Sequence, residues 1–145
     1  MYPPALERAL PRFWALVRVC PVTGCWHWQG GVSRGGQRTS HNTPYGSFWV
    51  ERGLVLRAHV YVAWLFGMIS GRRLPPGMNL DHTCENSLCV SPWHIELVTW
   101  QVNQDRRMKR VRRRRPTWAE LYALRGIGTD AEAVEPRHLR GDDTC

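Results

Sequence analysis

Ligand-type side chains crowd together between residues 81 and 103. The stretch reads Asp81-His82-Thr83-Cys84-Glu85-Asn86-Ser87-Leu88-Cys89-Val90-Ser91-Pro92-Trp93-His94, and Asn103 follows after Ile95-Glu96-Leu97-Val98-Thr99. Two chemistries interleave in it. Cys84, Cys89 and His94 stand at successive separations of five residues on one Pro-containing loop. These are the types and spacing of a structural zinc site, which takes four Cys or His ligands in a tetrahedron. The fourth ligand must come from elsewhere, and Cys25 and Cys20 are the candidates. An all-cysteine set of Cys20, Cys25, Cys84 and Cys89 is also chemically sound, because two C-x4-C pairs can close such a site. Asp81, His82 and Asn103 suit different work. A neutral imidazole takes a proton from water near neutral pH. Carboxylate and amide oxygens favour Mg2+ or Mn2+ over zinc. One such cation can touch a phosphate oxygen and the leaving oxygen together. Singly, Asp81 reads as a surface turn residue and Asn103 as a helix-start residue; their conjunction with His82 and the Cys/His loop points to chemistry.

A chain of 145 residues is one domain, or one domain with a tail. No apolar run approaches the ~18 residues that span a bilayer, so no membrane partner is expected. The N-terminus, Met1-Tyr2-Pro3-Pro4, lacks the basic and apolar regions of a secretory signal. A reducing cytoplasm is therefore expected, the host cell's if the chain is phage-encoded, and cysteines there read as metal ligands before disulfides. The net charge of +8 is concentrated. Arg106, Arg107, Lys109, Arg110, Arg112, Arg113, Arg114 and Arg115 supply eight of the 20 basic residues, with Asp105 the one acid among them. The rest is nearly neutral. Such a segment attracts phosphates through counterion release, so nucleic acid is the expected partner.

The elements that must position these groups follow from periodicity. Leu6, Leu10, Phe13, Trp14 and Val17 predict a helix over 5–17, kinked or restarted at Pro11. Residues 20–25 read as a tight turn, 26–29 as a short strand and 30–44 as a Gly/Ser-rich loop. Residues 45–50 and 54–59 predict a hairpin around Glu51-Arg52-Gly53, followed by a helix over 58–68. A strand over 78–82 ends on the Asp81-His82 pair. A second strand over 95–99 leads into a helix that carries Asn103, runs into the arginine cluster and stops at Pro116. Thr117-Trp118-Ala119-Glu120 has capping-box form and opens a helix to about residue 124; residues 126–145 are expected to be poorly ordered.

The run from Asp81 to Asn103 resembles the HNH endonucleases, and its cysteine-bearing form is similar to the His-Cys box homing endonucleases of the same ββα-metal superfamily. Thr23-Gly24-Cys25-Trp26 and Arg57-Ala58-His59 resemble segments that precede the motif in phage-type members. The resemblance implies an α+β fold: a small ββα-metal core around a structural zinc, an N-terminal helix (1–19), an endonuclease domain (20–116), and a short helix with a tail (117–145). It implies that His82 is the general base, that Asn103 and Asp81 hold the catalytic Mg2+ or Mn2+, and that Cys25, Cys84, Cys89 and His94 hold the zinc. Arg57 matches a basic residue near the scissile phosphate. In zinc-free members the position of His94 serves the catalytic site. Where the phage-type pattern has Asn before the loop's Pro, this chain has Ser91.

The expected function is thus metal-dependent hydrolysis of DNA phosphodiesters, leaving 5′-phosphate and 3′-hydroxyl ends. One active site per chain nicks one strand; cutting both needs a homodimer or a second encounter by a monomer. A non-catalytic zinc module that binds nucleic acid explains the Cys and Arg residues equally well, though not Asp81, His82 and Asn103. A nuclease acting on RNA would share the same active site.

Overall fold

The computed structural model describes residues 4–34 and 43–114. In chain order these form α1 (Pro4–Trp14), β1 (Val17–Val19), β2 (Trp26–Trp28), β3 (Val32–Arg34), β4 (Pro44–Glu51), β5 (Leu54–Arg57), α2 (Ala58–Leu65), β6 (Met78–His82), a 3-10 turn (Pro92–His94), β7 (Ile95–Thr99) and α3 (Trp100–Arg114). The strands make three small antiparallel sheets among the described residues: β1–β2, β3–β4–β5 and β6–β7. The architecture is mixed α+β. The expected helix after 117, the expected poorly ordered tail, and residues 35–42 of the expected loop lie outside the described residues. The chain separates into two compact units, Met1–Trp100 and Gln101–Cys145.

The first unit is built on an aromatic core. Leu6, Ala9 and Phe13 recur on one side of α1 at helical spacing and are fully buried. β4 alternates, burying Gly46, Phe48 and Val50 while Trp49 is exposed. α2 is apolar around most of its circumference, as a buried central helix must be. Phe13 packs with ring centroids 4.7 Å from Tyr61, 5.2 Å from Phe48 and 5.4 Å from Trp28. The buried Tyr61 hydroxyl donates to the Leu6 carbonyl at 2.8 Å, so its one polar group is satisfied. Burial pushes that phenol up to about 12, which keeps it a neutral donor.

Three boundaries differ from those periodicity predicts. α1 ends at Trp14 because Val17–Val19 pairs with Trp26–Trp28 as β1, drawing Val17 out of the helical register. Pro11 does not break α1; it sits on the exposed side, where a carbonyl left without its N–H partner can be hydrated. α2 stops at Leu65 because Gly67, at φ 72°, forms a Schellman motif: its N–H reaches the Trp64 carbonyl and that of Met68 reaches the Ala63 carbonyl. β3, inside the expected loop, exists because it finds an edge of β4 to pair with. The 45–59 hairpin forms as expected, with Gly53 at φ 79° in its turn and an irregularity between Trp49 and Glu51. No described helix is long and apolar enough to cross a membrane.

One close approach locks β4 against both β2 and α2. A Cβ on Gly46 would lie 2.6 Å from the Trp28 ring and 2.9 Å from the Ala58 Cβ. Real Cβ contacts do not come that close, so only glycine lets the indole lie across β4. Gly46→Ala is therefore expected to destabilise the protein by about 1–3 kcal/mol through overpacking. Gly71→Ala meets nothing within 4 Å and requires no unusual φ, so it should stay within about 0.5 kcal/mol. Urea midpoints of the two variants measure this contrast.

Candidate metal centre and the adjoining histidines

The β1–β2 hairpin and the loop between β6 and β7 come together edge to edge. Between β1 and β2, the Cys20 N–H donates to the Cys25 carbonyl at 2.8 Å and the Gly24 N–H to the Cys20 carbonyl at 2.9 Å. Gly24 takes φ 72°, and the Cys25 N–H donates to the Thr23 hydroxyl oxygen at 3.2 Å. On the other side of β2, the Trp28 N–H reaches the Leu88 carbonyl at 3.0 Å and the Val90 N–H the Trp26 carbonyl at 2.8 Å. The loop thus adds a short bridge to β2, with His27 opposite Cys89. Asn86 organises its tip. Its side-chain oxygen accepts from the Leu88 N–H at 3.0 Å, its carbonyl accepts from the Cys89 N–H at 3.0 Å, and its amide nitrogen donates to His27 Nδ1 at 3.3 Å. Sequence reasoning passed over Asn86, although an Asn two residues before a loop N–H is a turn signal.

Cys25, Cys84, Cys89 and His94 converge, with their ligand atoms all within 4.8 Å of one another. His94 Nδ1 lies 3.5 Å from Cys25 Sγ and 3.6 Å from Cys89 Sγ. A tetrahedral zinc with its usual bond lengths requires S···N edges of roughly 3.6 Å. The donor set, three sulfurs and one imidazole nitrogen, also matches zinc chemistry. This cluster fits a bound zinc and resolves the choice of fourth ligand: Cys25 joins it, whereas Cys20, buried in the neighbouring turn, does not. One of the sulfurs is prepared for deprotonation. The Cys84 thiol is pushed down to about 5, first by the hydrogen bond from Cys89, against the opposing effect of burial, and then by the Asn86 N–H and by Cys25. Cys89 is pushed up by donating that hydrogen bond and by burial, while the backbone N–H groups of Ser91 and Trp26 draw it down. A zinc bound by the cluster would replace the shared proton. Ser91 is fully buried, and its hydroxyl has no hydrogen-bond partner among the described residues.

Asp81 and His82 end β6, directly beside this loop. Both are buried, at 3% and 7% exposure, so Asp81 is not a surface turn residue. His82 Nε2 lies 3.1 Å from the Cys89 carbonyl. A carbonyl accepts only, so Nε2 carries a hydrogen, and in the neutral ring the lone pair falls to Nδ1. Asp81 stands opposite Glu96 across the β6–β7 pair. Among the described residues no group of three His, Cys, Asp or Glu side chains other than the Cys/His cluster could hold a metal. Arg57, the residue preceding α2, is exposed, and its guanidinium carbon stands 4.4 Å from the centroid of the Tyr45 ring. Asn103 is half-buried on α3, in the second unit. On the same helix Arg106, Arg107 and Arg110 are half-buried and Lys109 is exposed. The side chains of Arg112, Arg113 and Arg114, and all of Arg115, lie outside the described residues.

The structure adds one group that no motif singled out as a site residue. His59, in the first turn of α2, is 4% exposed, and its ring stands edge-on to His82 at 5.0 Å and 5.3 Å from the Tyr45 ring. Its Nδ1 is buried with no hydrogen-bond partner among the described residues. Burial, with the nearby His82 and Arg57 charges, lowers its pKa to about 3, so it is neutral at physiological pH.

Two outcomes follow. Purified protein should carry one zinc per chain; Cys25→Ser should lose it and Cys20→Ala should keep it, as measured by elemental analysis alongside thermal melting. His59 adds a pH dependence. Its folded pKa lies below the unfolded 6.5, so the unfolded chain binds the extra proton and stability falls as pH drops from 6.5 toward 3, by up to about 1.4 kcal/mol per pH unit. Denaturant midpoints at pH 7, 6 and 5 should fall less steeply in His59→Asn. The difference in slope isolates His59, because protonation of the metal ligands acts on both proteins.

No protein-family model matches the chain, and no solved structure matches it. The chain is similar to Protein 2.8 of Escherichia phage T7, with 29% identity over 82 residues that cover 56% of its length. It spans about half, 47%, of that relative.

Proposed function

We propose that the protein is a metal-dependent DNA endonuclease of the HNH type, with His82 as the general base. The observation that carries this reading is the 3.1 Å contact between His82 Nε2 and the Cys89 carbonyl. It supports a tautomer in which Nδ1 is the basic nitrogen, on a ring held by the same loop whose sulfurs and imidazole fit zinc.

In the reaction, His82 Nδ1 takes a proton from water. The water oxygen attacks phosphorus, the bond from phosphorus to the 3′ oxygen breaks, and the departing 3′ oxygen takes a proton from solvent water, leaving 5′-phosphate and 3′-hydroxyl ends. The imidazolium keeps its Nε2–H on the Cys89 carbonyl, and that bond strengthens once the donor is charged. Arg57 offers its guanidinium to the phosphate, planar and permanently charged. Asp81 and Asn103 would hold the divalent cation, Mg2+ or Mn2+, which when bound supplies positive charge at the phosphate and leaving oxygens. Asp81 enters this set as a buried carboxylate next to the base; Asn103 enters on its sequence position and donor chemistry. The basic residues of α3, from Arg106 onward, supply affinity for the DNA backbone without reading sequence. Cys25, Cys84, Cys89 and His94 would hold the structural zinc, which when bound fixes the loop that presents the Cys89 carbonyl.

The test is cleavage of supercoiled plasmid with Mg2+ or Mn2+, wild type beside His82→Ala, with zinc content measured in both. Wild type should give open-circle or linear product, and His82→Ala should lose about 10²–10⁴-fold in rate with its zinc retained. Undiminished cleavage by zinc-loaded His82→Ala rejects His82 as the base. A folded, zinc-loaded wild type that binds plasmid without cutting it is a nucleic-acid-binding module instead.

A further inference from the structure

Tyr45 is the second residue of β4, and its neighbour in the strand and two histidine rings fix its place. Gly46 beside it is pinned under Trp28 and against Ala58, so the strand cannot shift relative to the start of α2. The buried His59 ring stands 5.3 Å away on that helix. The His82 ring, at the end of β6, is 6.4 Å away. Against this ring lies an otherwise exposed arginine: the Arg57 guanidinium carbon is 4.4 Å from the Tyr45 centroid. In the β4–β5 ladder Arg57 pairs with Ser47, so Tyr45 and Arg57 are diagonal neighbours, two residues off register on the same sheet face.

We infer that Tyr45 is a positioning residue for the cleavage reaction proposed above, on which this inference rests: its ring holds the Arg57 guanidinium by one face, so that the in-plane N–H groups meet a phosphodiester already oriented beside His82. A guanidinium stacked on an aromatic ring uses its flat face and keeps its rim of donors for bidentate contact with phosphate oxygens. An unstacked arginine at the surface samples many rotamers and must give up that freedom when phosphate binds. Tyr45 removes it beforehand. The same ring also reaches both histidines, so the spot where the phosphate is gripped is tied to the spot where the water is deprotonated. The π face is what matters. Leucine keeps apolar bulk but cannot stack, and phenylalanine can.

The experiment is a double-mutant cycle on plasmid cleavage by the full chain, with zinc content and melting temperature recorded for every variant. Tyr45→Leu should lower the cleavage rate by about tenfold or more, as expected when a catalytic group is misplaced, and Tyr45→Phe should restore most of that loss. In an Arg57→Ala background, Tyr45→Leu should cost less than about threefold, because the partner it positions is gone. Wild-type rates in Tyr45→Leu overturn the inference, and so does an equal loss in both backgrounds. Should Tyr45→Leu fail to fold, the Arg57 Nε–H order parameter in wild-type protein decides: a value above about 0.6 supports a held guanidinium, and one below it, as for a free side chain, overturns the inference. A wild type that does not cut DNA overturns the endonuclease reading and this inference with it. A wild type that cuts, with Tyr45→Leu unaffected, overturns this inference and leaves the endonuclease reading standing.

Discussion

Cys89 is the residue on which the arrangement turns. Its sulfur sits in the cluster with Cys25, Cys84 and His94, and its carbonyl meets His82 Nε2. Its neighbours Leu88 and Val90 are hydrogen-bonded to β2. The segment between β6 and β7 contains one 3-10 turn and otherwise no regular structure, and a free loop of that kind has no reason to hold a carbonyl in one place. Ties beyond regular structure take its place: backbone pairing with β2, an Asn86-centred turn, and four ligand atoms gathered within 4.8 Å of one another. A zinc held by this cluster would therefore turn its binding energy into order in the loop and, through one carbonyl, in the histidine beside it.

The aromatic core serves the same end from the opposite side. Phe13, Trp28, Phe48 and Tyr61 bind α1, β2, β4 and α2 into one body. Trp28 is central because the backbone on either side has given up its side chains to admit it: Cβ atoms on Gly30 and Gly46 would both strike its ring. β2 thus packs on the core through Trp28 and borders the cysteine cluster through its edge. α2 buries its length in the core and presents His59 next to His82 at the end of β6. Metal cluster and core are two rigid supports meeting at His82.

Charge is divided in a similar way. The first unit buries a carboxylate and two histidines close together, Asp81, His82 and His59, in a region where water cannot solvate them freely. That burial is tolerable because His59 stays neutral and His82 spends one nitrogen on a carbonyl. The basic residues that dominate the net charge are clustered in the arginine segment of the second unit, where long cationic side chains suit an anionic polymer.

Local chemistry was readable from the sequence; long-range choice was not. Cys84, Cys89 and His94 could be picked out because their ligand types recur at short separations within one loop. The 44–57 hairpin could be found because period-two burial and Gly53 are local signals. The start of α3 after β7 was legible for the same reason. Cys25 could not be separated from Cys20 by sequence, because the two are chemically identical and five residues apart. The fold decides by docking the β1–β2 turn so that Cys25 faces His94 while Cys20 is buried in the turn. β1 and β3 escaped notice because three residues carry too little pattern; such strands exist only where a partner edge waits, Trp26–Trp28 for one and the start of β4 for the other. Tyr45 and His59 looked like ordinary strand and helix residues. Tyr45 meets Arg57 across the β4–β5 ladder, and Tyr45 and His59 meet His82 through packing of β4, α2 and β6, segments whose separation along the chain hides any spacing. Composition and short-range pattern thus determined which chemical groups the protein owns, and tertiary structure determined which of them meet, because contact energies between distant segments act only after the chain has closed on itself.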